Sequence, residues 1–424
     1  MLKKISVEDL RPGMFVHELC GSWWEHALWR RRFACRTPAE VAKVRESGVR
    51  QIWIDTGRGV DVVPDGVHLV VTADQARRQI DARLDQAAVA PRTVPEPRVE
   101  IAEELAAAKS LLTRSRSGMS RLFAEARSGS AIDMDLAEEV TAKVTASVVR
   151  HPGALISLAR LRSADDYTYL HSIAVSASMA ALARQLGMDA EHIRKAGLAG
   201  LLLDIGKARV APQVLNKRGA LTDAEFAAVR AHAVEGHALL GEIGITDPDV
   251  LDVCLHHHEK YDGTGYPHGL KGEEIGRMAR MAAVCDTFDA LTAPRPHRES
   301  LGMGPADAVR SMADWAQEQF DESVFQAFVK TVGVYPIGSI VRLACGRVGV
   351  VVDRNPDAIL RPKVKVFYSL NAKMRIIPEV VDLGERGVQN RIVGRIDPAA
   401  LGLRRIDEVW AAEALVALRG RSAA

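Results

Sequence analysis

Thirteen histidines occur in the 424 residues, and the informative ones lie beside carboxylates in the middle third of the chain. His171 sits on the first turns of a helix expected to end near Gly187. A lone imidazole in such a place is commonly a satisfied core residue. Asp204 ends a strongly apolar helix and is followed by Gly206 and Lys207. An acid at the C-terminal end of a helix opposes the macrodipole and calls for a cation, either a metal or the lysine. Thr222-Asp223-Ala224-Glu225 is a capping box, expected to open a helix that carries both His232 and His237. Those two face different ways, so at most one can join a shared site. His256-His257-His258 closes another helix, and three adjacent imidazoles are expensive to bury. Asp286 and Asp289 stand at i and i+3 on one face of an apolar helix, a costly pair to bury without cations. Imidazoles with carboxylates and no thiolates suit iron, manganese or zinc, and an aspartate between two ions can bridge them. Two metals about 3.5–4 Å apart polarise a phosphoryl oxygen and supply a hydroxide nucleophile, the chemistry of phosphodiester hydrolysis.

Positioning these side chains requires several helices, and the chain is long enough for two to four domains at about 100–200 residues each. Residues 1–90 read as a small α/β domain: Met14-Phe15-Val16 and Gln51–Ile54 as brief strands, and Thr37–Ser47 as a helix opened by a threonine cap with Glu40 three residues on. Pro91, Pro95 and Pro97 mark a linker, so residues 91–131 are expected to hold that linker and a helix. Val99–Arg114 and Asp135–Val149 carry helical apolar spacing, with the polar Ser115–Ser120 and Ser128–Ser130 segments as separators. Residues 132–335 form the helical block that holds the histidines. From about residue 336 to 424 the period shortens to that of strands, at Ser339–Leu343, Gly349–Val352 and Lys363–Phe367, with Cys345-Gly346 as a turn. An amphipathic helix over Glu408–Arg419 completes this appendage.

Composition removes several classes of function. With 56 basic and 54 acidic residues the net charge is +2, which gives no global field for DNA or RNA. Five scattered cysteines form no CxxC pair, so neither a disulfide framework nor a cysteine-built zinc site is expected. The longest apolar run, Ala196–Leu203, is far shorter than the roughly 18–20 residues of a membrane span. Lys3 and Lys4 have no apolar stretch behind them, so a cytoplasmic location is the expectation.

The order His171, Asp204-Ile205-Gly206-Lys207, His232, His257-His258-Glu259, Asp262-Gly263-Thr264-Gly265-Tyr266-Pro267 and Asp286 resembles the HD-GYP domain over roughly residues 132–343. The HHExxDGxGYPxGL run and the DxFDALTxxRP run, here Asp286–Pro296, occur together and in the family's order. Leu10–Met14 and Trp53–Thr56 look like the small domain often found ahead of HD-GYP in bacterial proteins. The resemblance implies a mainly α fold: an all-helical HD-type metal-dependent phosphohydrolase core, with a small α/β N-terminal domain and a small β appendage on the C-terminal side. It implies a phosphodiesterase that opens cyclic di-GMP to pGpG or GMP with two divalent transition-metal ions, iron or manganese foremost and zinc as a further candidate. Carried over by motif, His171, the His-Asp pair and Asp286 would hold one ion, and Asp204, His232, His257 and His258 the second, with Asp204 as bridge. Lys207 and Arg298 would lie near phosphate oxygens. Gly263, Gly265 and Tyr266 would shape the nucleotide pocket or dock another signalling domain. Tyr167 stands where trinuclear members carry a glutamate, so no third metal is expected.

One departure is plain: the His-Asp pair that names the family reads Leu203-Asp204. Leucine cannot bind a metal, and His256, about 100° around the helix from His257, is a poor replacement. An alternative is therefore a degenerate module that binds cyclic di-GMP or a signalling partner without hydrolysis. Hydrolysis of another nucleotide, as in HD proteins without the GYP loop, is disfavoured by Asp262–Pro267.

Overall fold

Period-two burial is clear along Gln51–Asp55, where Ile52 and Ile54 point inward between half-buried neighbours, and Ile5, Val16 and Leu19 of adjacent strands join them in one core. A computed structural model describes residues 1–20, 32–46, 49–62, 70–89, 99–161, 167–217, 221–293, 302–355, 357–403 and 406–411. Strands β1 (Leu2–Ser6), β2 (Phe15–Leu19), β3 (Phe33–Ala34), β4 (Gln51–Asp55) and β5 (Val70–Thr72) form an antiparallel sheet in the order β3-β2-β4-β1-β5. Helix α1 (Pro38–Arg45) starts at the expected threonine, with both halves of the Thr37–Glu40 capping box in place, and it closes the small core through Val41 and Val44.

Helix α2 (Ala73–Val89) leads to α3 (Ile101–Ser128), a single helix where the serine-rich run suggested a break at Ser115–Ser120. The apolar stripe explains it. Ala108, Leu112, Met119, Leu122, Phe123 and Ala126 are all buried at helical spacing across that run, and the serines only dilute the stripe. Gly129, with φ of 72°, ends the helix.

The block that follows comprises α4 (Met134–Arg150), α5 (Pro152–Ala159), α6 (Tyr167–Gln185), α7 (Ala190–Leu202), α8 (Pro212–Leu215), α9 (Asp223–Arg230), α10 (His232–Glu242), α11 (Pro248–His256), α12 (Arg277–Thr292), α13 (Pro305–Gln319) and α14 (Glu322–Val332). Helix α6 is its centre. Residues 170–183 are buried on every side, against α4, α5, α7, α12 and α14. The capping box at Thr222 is real, yet the helix it opens stops at Arg230. Ala231 turns the chain, and His232 begins a separate helix.

Strands β6 (Ile340–Leu343), β7 (Arg347–Asp353), β8 (Lys363–Ser369), β9 (Met374–Asp382) and β10 (Ile392–Arg395) form a second antiparallel sheet in the order β10-β6-β7-β8-β9. The expected turn at Gly346 has φ of 78°. Val348, Val350 and Phe367 join the helical core, whereas Val341, Val351 and Val364 fill a core of the sheet's own. Residues 407–411 are helical, and the rest of the helix expected over Glu408–Arg419 lies outside the described residues.

Among the described residues two ion pairs connect the N-terminal region to the helical block: Lys4 Nζ with Asp314 at 3.1 Å and Arg50 with Asp262 at 3.2 Å. Among the described residues no helix is long and apolar enough to cross a membrane. All five cysteines are free thiols.

Candidate metal centre

Asp204 lies just past the end of α7, where the chain tightens into a 3-10 turn over Ile205–Arg209. That turn must touch α10. A Cβ on Gly206 would lie 2.0 Å from the His232 carbonyl oxygen and 2.5 Å from the Gly236 nitrogen, so only glycine lets the two backbones meet. This close approach sets His232 beside Asp204, with Nε2 3.3 Å from Oδ1. His257 caps α11 and arrives from a third direction, its Nε2 3.3 Å from that of His232 and 3.8 Å from Asp204 Oδ1.

On the other side of the carboxylate, His171 Nε2 is 3.3 Å from Asp204 Oδ2 and 3.0 Å from Asp286 Oδ1. His258 Nδ1 stands 3.9 Å from Asp286 Oδ2. Thus the six side chains singled out as metal ligands, from five segments, converge on one buried place. Asp204, His232, His257 and His258 each offer a donor atom within 4.8 Å of the others.

Electrostatics keep Asp204, Asp286, His257 and His258 in their ligating forms. Burial opposes ionisation of Asp204, but the Lys207 ammonium and the adjoining His171 and His232 rings outweigh it and hold the carboxyl well below its ordinary range. Asp286 is likewise lowered: burial again opposes, and the His171 hydrogen bond prevails. Burial, then the neighbouring His232, pushes His257 down to about 4. His258 falls well below the imidazole value for the same first reason, with His257 and His232 adding to it. Neutral imidazoles and ionised carboxylates are what a divalent cation requires.

The ring orientations also fit. His257 Nδ1 is 3.0 Å from the carbonyls of Val253 and Cys254, and His232 Nδ1 bonds the Val229 carbonyl, so both Nε2 atoms face Asp204. His171 Nδ1 donates to Asp289 Oδ2 at 2.6 Å, which aims its Nε2 at Asp204 and Asp286. Asp204 Oδ1 is buried and accepts no well-formed hydrogen bond among the described residues, a position that a cation would satisfy.

Lys207 forms a short ion pair with Asp204. Tyr266 is buried and stacks on His258, with centroids 4.7 Å apart, and the Arg230 guanidinium lies 4.3 Å from the Tyr266 ring centre. The two glycines of that loop have backbone reasons to be there. Gly263 has φ of 84°, and a Cβ on Gly265 would meet the Lys260 nitrogen at 2.3 Å. Glu259 closes the loop by accepting the N–H groups of His268, Gly269 and Leu270. His256 turns away from the cluster to Asp252 and His268, and His237 stays outside it. Arg298 lies outside the described residues. Leu203 is fully buried in the apolar core, and its carbonyl accepts the Cys254 thiol.

Asp289, Arg230 and Glu259 were not picked out as site residues from sequence. Asp289 leaves a signal in its i, i+3 spacing from Asp286, and Glu259 in the HHExxDGxGYPxGL run that contains it; Arg230 leaves none, because its place depends on how the loop folds back.

Residues 144–324 match the HD domain family, and residues 2–137 match a domain of unknown function, DUF3391. The Pseudomonas aeruginosa protein named cyclic di-GMP phosphodiesterase PA4108 is 46% identical over 415 residues, 97% of this chain and 96% of that protein. A Vibrio cholerae protein named 3'3'-cGAMP-specific phosphodiesterase 3 is 38% identical over 173 residues, 40% of this chain and 36% of its own length. The Xanthomonas campestris cyclic di-GMP phosphodiesterase response regulator RpfG is 39% identical over 132 residues, covering 30% of this chain and 33% of that one. The HD domain and the buried donor cluster together identify a divalent-metal site. With its helical core, its His-Asp cluster and a relative matched nearly end to end, the chain belongs to the HD-GYP family of cyclic di-GMP phosphodiesterases.

Proposed function

We propose that this chain hydrolyses cyclic di-GMP to pGpG or GMP in second-messenger signalling in the cytoplasm, using two divalent ions, iron or manganese before zinc. The observation that carries this reading is the Asp204 carboxylate, with imidazoles on both of its oxygens. Asp204 would be shared between the ions, His171 and Asp286 completing one side and His232, His257 and His258 the other. Bound there, divalent ions would polarise a phosphoryl oxygen and lower the pKa of water.

The chain's own residues then have separable tasks. Asp204 stays ionised because Lys207 faces it, and in this reading the Lys207 ammonium also meets phosphate charge. Asp289 fixes the His171 ring. Tyr266 presses on His258 and keeps water from that side, with Gly263 and Gly265 shaping the loop and Arg298 assigned to phosphate. The same loop is the surface proposed for other signalling domains. The domain scheme goes with it: N-terminal domain to residue 90, linker and helix to 131, catalytic block to 335, appendage beyond.

Leu203 favours a second reading, a module that binds cyclic di-GMP without cleaving it. Product analysis with cyclic di-GMP and added manganese or iron, beside metal analysis of the protein, separates the two. Linear pGpG or GMP that depends on added metal is expected, and binding without product would leave the second reading.

A further inference from the structure

A second cavity lies among elements that share no residue with the metal centre. It has a volume of about 780 Å³ and opens between α2, α13, the segment after α14 and β10. That is within the range of about 300–1,000 Å³ typical of small-molecule sites. Five arginines line it, Arg77, Arg310, Arg361, Arg391 and Arg395, against the aspartates Asp81 and Asp85. Arg310 is paired to Asp81 at 2.6 Å, and Arg395 is tightly paired to Asp307. Arg77, Arg361 and Arg391 make no ion pair among the described residues.

Charge of one sign gathered in a concave place needs a reason, because like charges there repel through a low-dielectric wall. Burial, and next the charge of Arg77, lower the Arg395 guanidinium below its ordinary value, so the crowding is felt at the cavity itself. The remaining wall is of another kind: Leu84, Val334, Tyr335 and Ile392 present aliphatic and aromatic surface. Guanidinium forks match phosphate oxygens two at a time, and a flat apolar wall accepts the face of a base.

We propose that this arginine-lined cavity binds a phosphorylated nucleotide, its phosphates on Arg77, Arg361 and Arg391 and its base against Tyr335 and Ile392. The assignment needs no particular substrate at the metal centre. Its carriers come from the α2 region, the helical block and the β appendage, so the ligand would tie three parts of the chain together.

Calorimetric titration of the full chain with GTP, ATP and inorganic pyrophosphate tests it. One equivalent of GTP or ATP should bind more tightly than pyrophosphate, and more weakly as salt rises. The Arg77→Ser/Arg391→Ser pair, and separately the exposed Arg361→Ser, should weaken binding by about tenfold or more, because each removes a charge-assisted contact. His257→Ala should bind as wild type does. The proposal is overturned by any of four results: no saturable binding to wild type at about 1 mM, unchanged affinity in both arginine variants, loss of binding in His257→Ala, or pyrophosphate binding as tightly as the nucleotides.

Discussion

Each residue of the cluster leaves a separate trace. His257→Ala removes a proposed ligand and should lower bound metal per chain, read by elemental analysis, whereas Asp204→Ala should strip the centre, since both sides of the cluster lean on that carboxylate. Equal metal in Asp204→Ala and wild type would refute the bridge. Proton uptake gives a second trace. The folded His257 value of about 4 lies below the ordinary 6.5, so the unfolded chain binds the extra proton between them. Stability is therefore fully present above pH 6.5 and lost as pH falls towards 4, by on the order of 3 kcal/mol in the metal-free protein. Thermal melts across that window should show the fall, and His257→Gln should reduce it while leaving the share of the similarly lowered His258. Leu203 is the residue where sequence and chemistry disagree most. Its side chain is wholly buried, so Leu203→His should cost the metal-free protein about 1–3 kcal/mol while raising metal affinity. A destabilised variant with no gain in bound metal would mark the position as closed to a ligand.

Elements decide whether those residues meet. Gly206 is the hinge of the arrangement, because its missing side chain lets the turn after α7 touch α10. Gly206→Ala should lower stability by about 1–3 kcal/mol and release metal together, as the added methyl pushes Asp204 from His232. Thr222→Ala is the matching control. It removes the cap of α9, which carries none of the six proposed ligands, so about 1 kcal/mol of stability should go and the metal should stay. Asp289→Ala acts through a neighbour: His171 loses the acceptor that aims it, and metal affinity should fall by about 10–100-fold. The elements were unevenly legible in sequence. Short strands at Phe15–Val16 and Gln51–Ile54, the Thr37 cap and the α6 span follow from alternation, capping chemistry and apolar spacing. The unbroken α3 does not, because serine density reads as a break while the buried stripe is what fixes a helix. The stop at Ala231 left no mark, since nothing in Arg230-Ala231-His232 forbids a helix; the need to seat His232 against the Gly206 turn sets it. Burial cost marks the segments that hold the six clustered side chains, and the resemblance to the HD-GYP motifs selects the six among them, whereas the stack of Arg230 on Tyr266 arises from a fold-back that local sequence does not encode.

At the scale of the whole molecule, the N-terminal sheet and the helices meet through charge as well as apolar contact. Lys4 and Asp314 are both nearly buried, so Lys4→Ala should leave an unpaired acid and cost on the order of 3 kcal/mol, with Lys4→Ala/Asp314→Ala recovering part of it. A double-mutant cycle by thermal melts measures the coupling. The other bridge is of a different strength. Arg50 is 54% exposed, and such a pair is worth about 0–1 kcal/mol, close to thermal energy. Asp262, its partner, opens the loop whose Tyr266 rests on a metal-facing imidazole. One buried pair and one largely exposed pair thus join the same two parts of the chain. Rising ionic strength should therefore loosen the sheet's hold on the wall of the metal centre while the buried Lys4–Asp314 pair keeps the two parts joined.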